Sequence, residues 1–199
     1  LVFAQLRHDG AWNVHPGAAT ALLRRLRAET SLRVSLKRVA VDPSRESLES
    51  FQFLYLEGLD TFAWDEPARA ALRQFLARGG TLLINNGLGL ATFDQTVRRE
   101  LAQLLPGREL APVPPDHALL SACRPVEEVR FSPAVEKASP GQQDPVLEAI
   151  TLDGDLRVIY SPYDLACAWS GCEYPLARAY EAPGGVTLGM NLLVYAMTH

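Results

Sequence analysis

Phe51-Gln-Phe-Leu-Tyr-Leu-Glu-Gly58, then Asp65-Glu-Pro67, then Gly79-Gly-Thr-Leu-Leu-Ile-Asn-Asn-Gly87 is the stretch that decides how this chain folds. Phe51 to Leu56 reads as a continuous apolar strand, as a strand covered on both faces requires, and it stops at Glu57-Gly58. Asp65 is placed to cap a helix, and Pro67 falls in its first turn, where a missing N–H costs nothing. Ala68, Ala71, Leu72, Phe75 and Leu76 give that helix one apolar face, and Gly79-Gly80 stop it. Thr81 to Ile84 is a second short buried strand, ending at Asn85-Asn86-Gly87. Strand, helix and strand at this spacing predict a right-handed βαβ unit in a parallel sheet.

Working outward, Leu1 to Leu6 reads as a first strand, followed by the polar loop Arg7 to Asn13. A helix starting at Pro16 buries Ala19, Leu22, Leu23 and Leu26. Ser31 to Val41 alternates like a strand. A helix from about Asp94 turns Val97, Leu101, Leu104 and Leu105 inward and closes at Pro106-Gly107. Arg157 to Tyr160 is a further strand, Leu176 to Tyr180 an edge strand, and Leu188 to Met197 a last amphipathic helix. The expected architecture is a single α/β domain over residues 1–199, a mostly parallel sheet with helices on both faces. A proline-rich excursion over about 110–145 should run across the sheet as a lid or crevice wall.

Composition narrows the function classes. Of 199 residues 48% are hydrophobic and 21% charged, which fits a folded globular domain. Nineteen basic against 23 acidic residues, with no basic stripe among aromatics, argue against a nucleic-acid partner. No apolar run approaches the ~18 residues that span a bilayer, so the domain itself is not expected to touch a membrane. The chain opens without Met directly in a strand-like run, and an upstream signal or anchor segment is the expectation.

Ligands of open parallel sheets bind outside the carboxyl ends of the strands. Applied here, that rule gathers Arg7, Asp9 and Trp12 after the first strand with Glu57 after the third. Asn85 and Asn86 follow the fourth strand, and Ser161 and Asp164 the late one. With Trp169 as a wall, these residues make a candidate polar crevice for a small polar ligand or a protein segment. Each also has a plainer reading, since Asp9-Gly10 and Asn86-Gly87 are ordinary turn signals.

Cys123, Cys167 and Cys172 form no disulfide framework. Cys167 and Cys172 could pair or ligate a metal, but ordinary buried thiols are the simpler reading. No cofactor fingerprint is present, and neither cofactor nor metal is expected. His15, His117 and His199 are scattered. Asp116-His117 after Pro114-Pro115 reads as a rigid turn, with a positioned acid/base as the alternative.

The Phe51–Asn86 run resembles the core of class I glutamine-amidotransferase-like domains. Catalytic members carry a Cys on the sharp turn after the last of these strands. Here that turn is Asn85-Asn86-Gly87-Leu88-Gly89, with neither Cys nor Ser. A closer resemblance covers nearly the whole chain: Arg7-His-Asp-Gly10 with Trp12, Phe93-Asp94 with Arg98-Arg-Glu100, Leu110 through Pro114-Pro-Asp-His117, Ile159-Tyr-Ser-Pro162 with Asp164-Leu165 and Ala168-Trp169, and Asn191 to Tyr195 with Thr198-His199. On these motifs the chain is similar to the bacterial domain-of-unknown-function family 4159. His8 stands where a Tyr is expected, and Asn85-Asn86 where acidic residues are. The resemblance implies an amidotransferase-like fold (flavodoxin-like layering), no established activity, and a place in exported or membrane-anchored bacterial proteins.

Two functions follow as expectations. The leading one is a non-catalytic binding or interaction domain with a polar crevice, extracytoplasmic or associated with the bacterial envelope, with the cytoplasm as the alternative location. The other is a hydrolase-type enzyme with a relocated site, using Asp9, Asp94 and Asp164 with His117 as acid/base. Meeting of carboxylates and an imidazole within ~4–6 Å would separate them in favour of the enzyme.

Overall fold

Phe3, Phe53, Tyr55, Leu83 and Ile159 pack on one side of a sheet, while Ala4, Leu6, Leu54, Leu56, Leu82, Ile84, Val158 and Tyr160 pack on the other. Strict alternation of two apolar sets is what a sheet buried on both faces needs, because successive side chains point to opposite sides. The computed structural model describes residues 1–172 and 174–199.

Seven strands lie in one sheet: β1 (Phe3–Leu6), β2 (Arg38–Val41), β3 (Phe53–Gly58), β4 (Thr81–Asn86), β5 (Ala111–Pro112), β6 (Glu148–Leu152) and β7 (Asp155–Ser161). Their order is β2-β1-β3-β4-β7-β6-β5. The first five are parallel, and β6 and β5 extend the sheet antiparallel to their neighbours. Helices α1 (Ala18–Glu29), α5 (Leu165–Ser170) and α6 (Gly184–Thr198) cover the Phe3 side. Helices α2 (Glu66–Ala77) and α3 (Ala91–Leu104) cover the other. The short α4 (Pro133–Ala138) belongs to the proline-rich excursion.

The boundary signals around α2 act as expected. Asp65 accepts from Ala68 N–H at 2.9 Å, and Pro67 stands in the first turn. Three elements differ from expectation. The Ser31–Val41 strand shortens to β2, because its partner β1 has only four residues and its register ends at Phe3 opposite Arg38. Leu32, Val34 and Leu36 pack against the core, and Leu1 pairs with this segment, donating to the Arg33 carbonyl and accepting from Ser35 N–H. The Leu176–Tyr180 edge strand reduces to two isolated bridges, Phe131 with Tyr180 and Asp164 with Ala179. Strand β6 was not foreseen. It forms a hairpin with β7 through Asp153-Gly154, both at positive φ (51° and 96°).

The excursion seats Leu119, Val129, Phe131 and Val135 in the α1/α5/α6 core. Asn191 on α6 anchors it: its Oδ1 accepts from Cys123 and Arg124 N–H, and its Nδ2 donates to the Leu120 and Arg124 carbonyls. Among the described residues no helix is long and apolar enough to cross a membrane.

Candidate functional site

Side-chain parity sorts the polar residues at the strand ends. Glu57 lies beside Asn85, and Asn85 beside Ser161, in one row across β3, β4 and β7. By alternation they continue the face that carries Tyr55, Leu83 and Ile159, so they point toward α1 and α5. Gln5 on β1 shares that face. Asn86 and Tyr160, one residue out of step, point to the opposite side.

Glu57 is buried, 1% exposed, yet well supplied with donors. Gln5 Nε2 donates to its Oε1 at 3.0 Å, His15 N–H to the same oxygen at 3.2 Å, and the Tyr55 hydroxyl to Oε2 at 3.0 Å. Burial first, and then the charges of Glu57 and Asp164, push the Tyr55 phenol well above its ordinary range, so it remains a donor. Gln5 also donates to the Trp12 carbonyl at 2.6 Å, and Arg38 donates to Gln5 Oε1 at 2.6 Å. These bonds tie the loop after β1 to the sheet, and that loop delivers His15.

Asp164 comes from the other end of the site. It caps α5, accepting from Ala166 and Cys167 N–H on Oδ1, while Asn85 Oδ1 accepts from Leu165 N–H at 2.7 Å. The orphan donors of this short helix are thereby met by two side chains of the site. Asn85 Nδ2 donates to Asp164 Oδ1 at 2.9 Å, and Leu88 N–H to Oδ2 at 2.7 Å. Leu88 holds a left-handed backbone (φ 56°), an unfavourable conformation for a branched side chain that aims its N–H at this carboxylate.

His15 sits between the two acids. Its Nδ1 lies 3.5 Å from Glu57 Oε2 and has no better partner among the described residues; its Nε2 lies 3.4 Å from Asp164 Oδ2. Cys167 Sγ is 3.7 Å from the same Nε2 and 3.4 Å from the same Oδ2. Burial alone would lower the His15 pKa. The hydrogen bond to Glu57 and the charges of Asp164 and Glu57 outweigh it, and the net shift is upward. Only an imidazolium can donate to both carboxylates, which is the physical content of that shift. Burial pushes the Cys167 thiol up, and Asp164 adds to it.

The cluster is not sealed. Cys167 lies in the lining of a hollow of about 300 Å³ that it shares with Cys172, Tyr174, Ser132 and Tyr180. Cys172 is exposed, and the Tyr174 ring meets His15 edge-on at 6.2 Å between centroids.

The remaining candidates make other contacts. Arg7, Asp9 and Trp12 line a separate hollow of about 410 Å³ with His8 and Asp65. Asp9 accepts from Ala63 N–H, and Arg7 pairs with Glu46. Asn86 caps the turn to α3, bonding both the N–H and the carbonyl of Leu90. Asp94 accepts from the Tyr160 hydroxyl at 2.8 Å and pairs with Arg98, whose guanidinium grips Glu148 with two bonds of 2.8 and 2.7 Å. His117 accepts from Leu119 N–H at the start of a helical turn and packs on Tyr195. Ser161 donates to the Tyr163 carbonyl and is fully buried. Trp169 donates to the Gly185 carbonyl at 3.1 Å and packs on Tyr55. A Cβ on Gly189 would stand 2.4 Å from its indole nitrogen, so this approach requires glycine there. Of the sequence candidates, then, Glu57, Asn85 and Asp164 come together. Gln5, Tyr55, His15 and Cys167, which complete the cluster, were not among them.

Comparison with curated proteins gives no match. The family described as Domain of unknown function (DUF4159) matches residues 2–197. That match spans nearly the whole chain, every strand and helix of the site included, and the chain belongs to the DUF4159 family.

Proposed function

We propose that this domain is a hydrolase-type enzyme acting on a small polar substrate, with its working site at His15, Glu57, Asp164 and Cys167. One observation carries the reading: a single imidazole stands within 3.7 Å of two carboxylates and a thiol beside an open hollow. Ionisable groups held this close in the interior cost folding stability, and such arrangements concentrate at functional sites. With its ring neutral and the remaining proton on Nδ1 toward Glu57, His15 is placed to take a proton at Nε2 from water or from the Cys167 thiol and to return it to a leaving group. The chemistry would then have moved from the turn after β4, where amidotransferases carry their Cys, to the turn after β7. The run of five parallel strands in the order β2-β1-β3-β4-β7 supports relating the fold to the amidotransferase-like domains.

A second reading, a binding domain for a small polar ligand or a partner's chain segment, draws on Cys167. Its thiol is buried and held protonated beside a carboxylate, a poor setting for a thiolate nucleophile.

Turnover of chromogenic esters, amides and phosphoesters by wild type and by His15→Gln separates the two. The enzyme reading expects wild-type turnover and a loss of about 10²-fold or more in His15→Gln. It expects little change in Asp94→Ala and His117→Ala. No turnover of any of these by the wild type, with saturable binding of a small ligand, would leave the binding domain.

A further inference from the structure

Resting on the reading that this cluster is the working site, and in place of proton transfer at that ring nitrogen, we propose that His15 Nε2, Asp164 Oδ2 and Cys167 Sγ form a three-ligand site for a divalent transition-metal ion of the zinc class. The three atoms are separated by 3.4, 3.7 and 3.4 Å. Bonds of ordinary zinc length to N, O and S in tetrahedral geometry place such atoms ~3.3–3.6 Å apart. The triangle therefore needs adjustments of only a few tenths of an ångström to close on an ion.

Ligand type points the same way. A set of one imidazole, one carboxylate and one thiol suits zinc-class ions and not magnesium or calcium, which prefer oxygen. Binding requires a neutral His15 and a Cys167 thiolate, so the ion would take the place of the two protons those groups carry and leave the net charge of the cluster unchanged. The supporting groups are also in place. Glu57 faces the far ring nitrogen of His15 at 3.5 Å, the carboxylate–histidine–metal arrangement that fixes ring orientation and tautomer. Asp164 is oriented by Asn85 and by Leu88 N–H. Three protein ligands, one of them in the wall of an open hollow, is the number of a catalytic rather than a structural site, leaving a fourth position for water or substrate.

The test is a titration of chelator-treated protein with Co²⁺. The expected result is one ion per chain, tetrahedral d–d bands, and a thiolate-to-cobalt charge-transfer band, all displaced by Zn²⁺. The charge-transfer band should vanish in Cys167→Ser and persist in Cys123→Ser. Glu57→Gln should weaken affinity by about 10- to 100-fold. Absence of Co²⁺ uptake by the wild type, or a thiolate band that survives in Cys167→Ser, overturns the site. The two proposals fail separately. Cobalt binding without turnover of any substrate sinks the hydrolase and keeps the metal; turnover indifferent to chelator, with no Co²⁺ uptake, does the reverse.

Discussion

His15 Nε2 and Cys167 Sγ approach to 3.7 Å across 152 residues of chain. Neither residue lies in a local motif, and each is set in place by polar neighbours on a different strand end.

Asp164 serves five donors: Asn85 Nδ2, the N–H groups of Leu88, Ala166 and Cys167, and the Cys167 thiol. Asp164→Ala leaves them unpaired in the interior and should destabilise the fold by about 3–5 kcal/mol in urea denaturation. Loss of activity in that variant would therefore say little about chemistry, and His15→Gln is the cleaner probe.

Asn191 makes four hydrogen bonds to the 120–124 backbone. Asn191→Ala should cost about 2–4 kcal/mol and speed amide exchange of Cys123 and Arg124, which lose their acceptor. Unchanged protection there would mean that the excursion is held by its apolar contacts.

Thiol labelling under native conditions should proceed in order of exposure: Cys172 first, Cys123 next, Cys167 last. For Cys167, burial and the neighbouring Asp164 also hold the thiol protonated, slowing it further. Mass spectrometry of partly labelled protein checks the order; early labelling of Cys167 would contradict its burial.

His8 supplies a pH dependence. Its Nδ1 accepts from Gly10 N–H and its Nε2 lies 2.9 Å from the Glu57 carbonyl, which fits the neutral ring with its proton on Nε2. Burial lowers its pKa below 6.5, although the Glu57 carbonyl and nearby acids pull it up. Below 6.5 the unfolded chain then binds more protons than the fold, so this contribution to stability declines as pH falls from 6.5 through the folded pKa. An NMR titration should place His8 below 6.5; a midpoint at or above it would refute the assignment.

Much of the sheet was legible because Phe53–Leu56 and Thr81–Ile84 are buried on both faces and α2 carries explicit stop signals. The rule that ligands sit at strand C-termini pooled Glu57, Asn85 and Asp164, and the fold does place these three side chains together. It also pooled Asn86 with Asn85, which alternation sends to opposite faces. Counting in twos from Leu83 and Tyr55 would have separated them and drawn in Gln5. His15 and Cys167 gave no such signal. Their contact depends on how the β1 loop and α5 dock, and no spacing along the chain encodes it. Strand β6 was missed although Asp153-Gly154 is a strong hairpin turn.

Leu88 turns its amide to Asp164 in a backbone conformation that only the docked α5 makes worthwhile. The cluster as a whole joins the second residue-dozen of the chain to its last forty residues. Contacts of such long range form late, after loop-closure entropy has been overcome. Any spectroscopic signal from a probe bound at Cys167 would then act as a clock for the end of folding, silent in every species that has formed the early strands but has yet to dock β7 and α5.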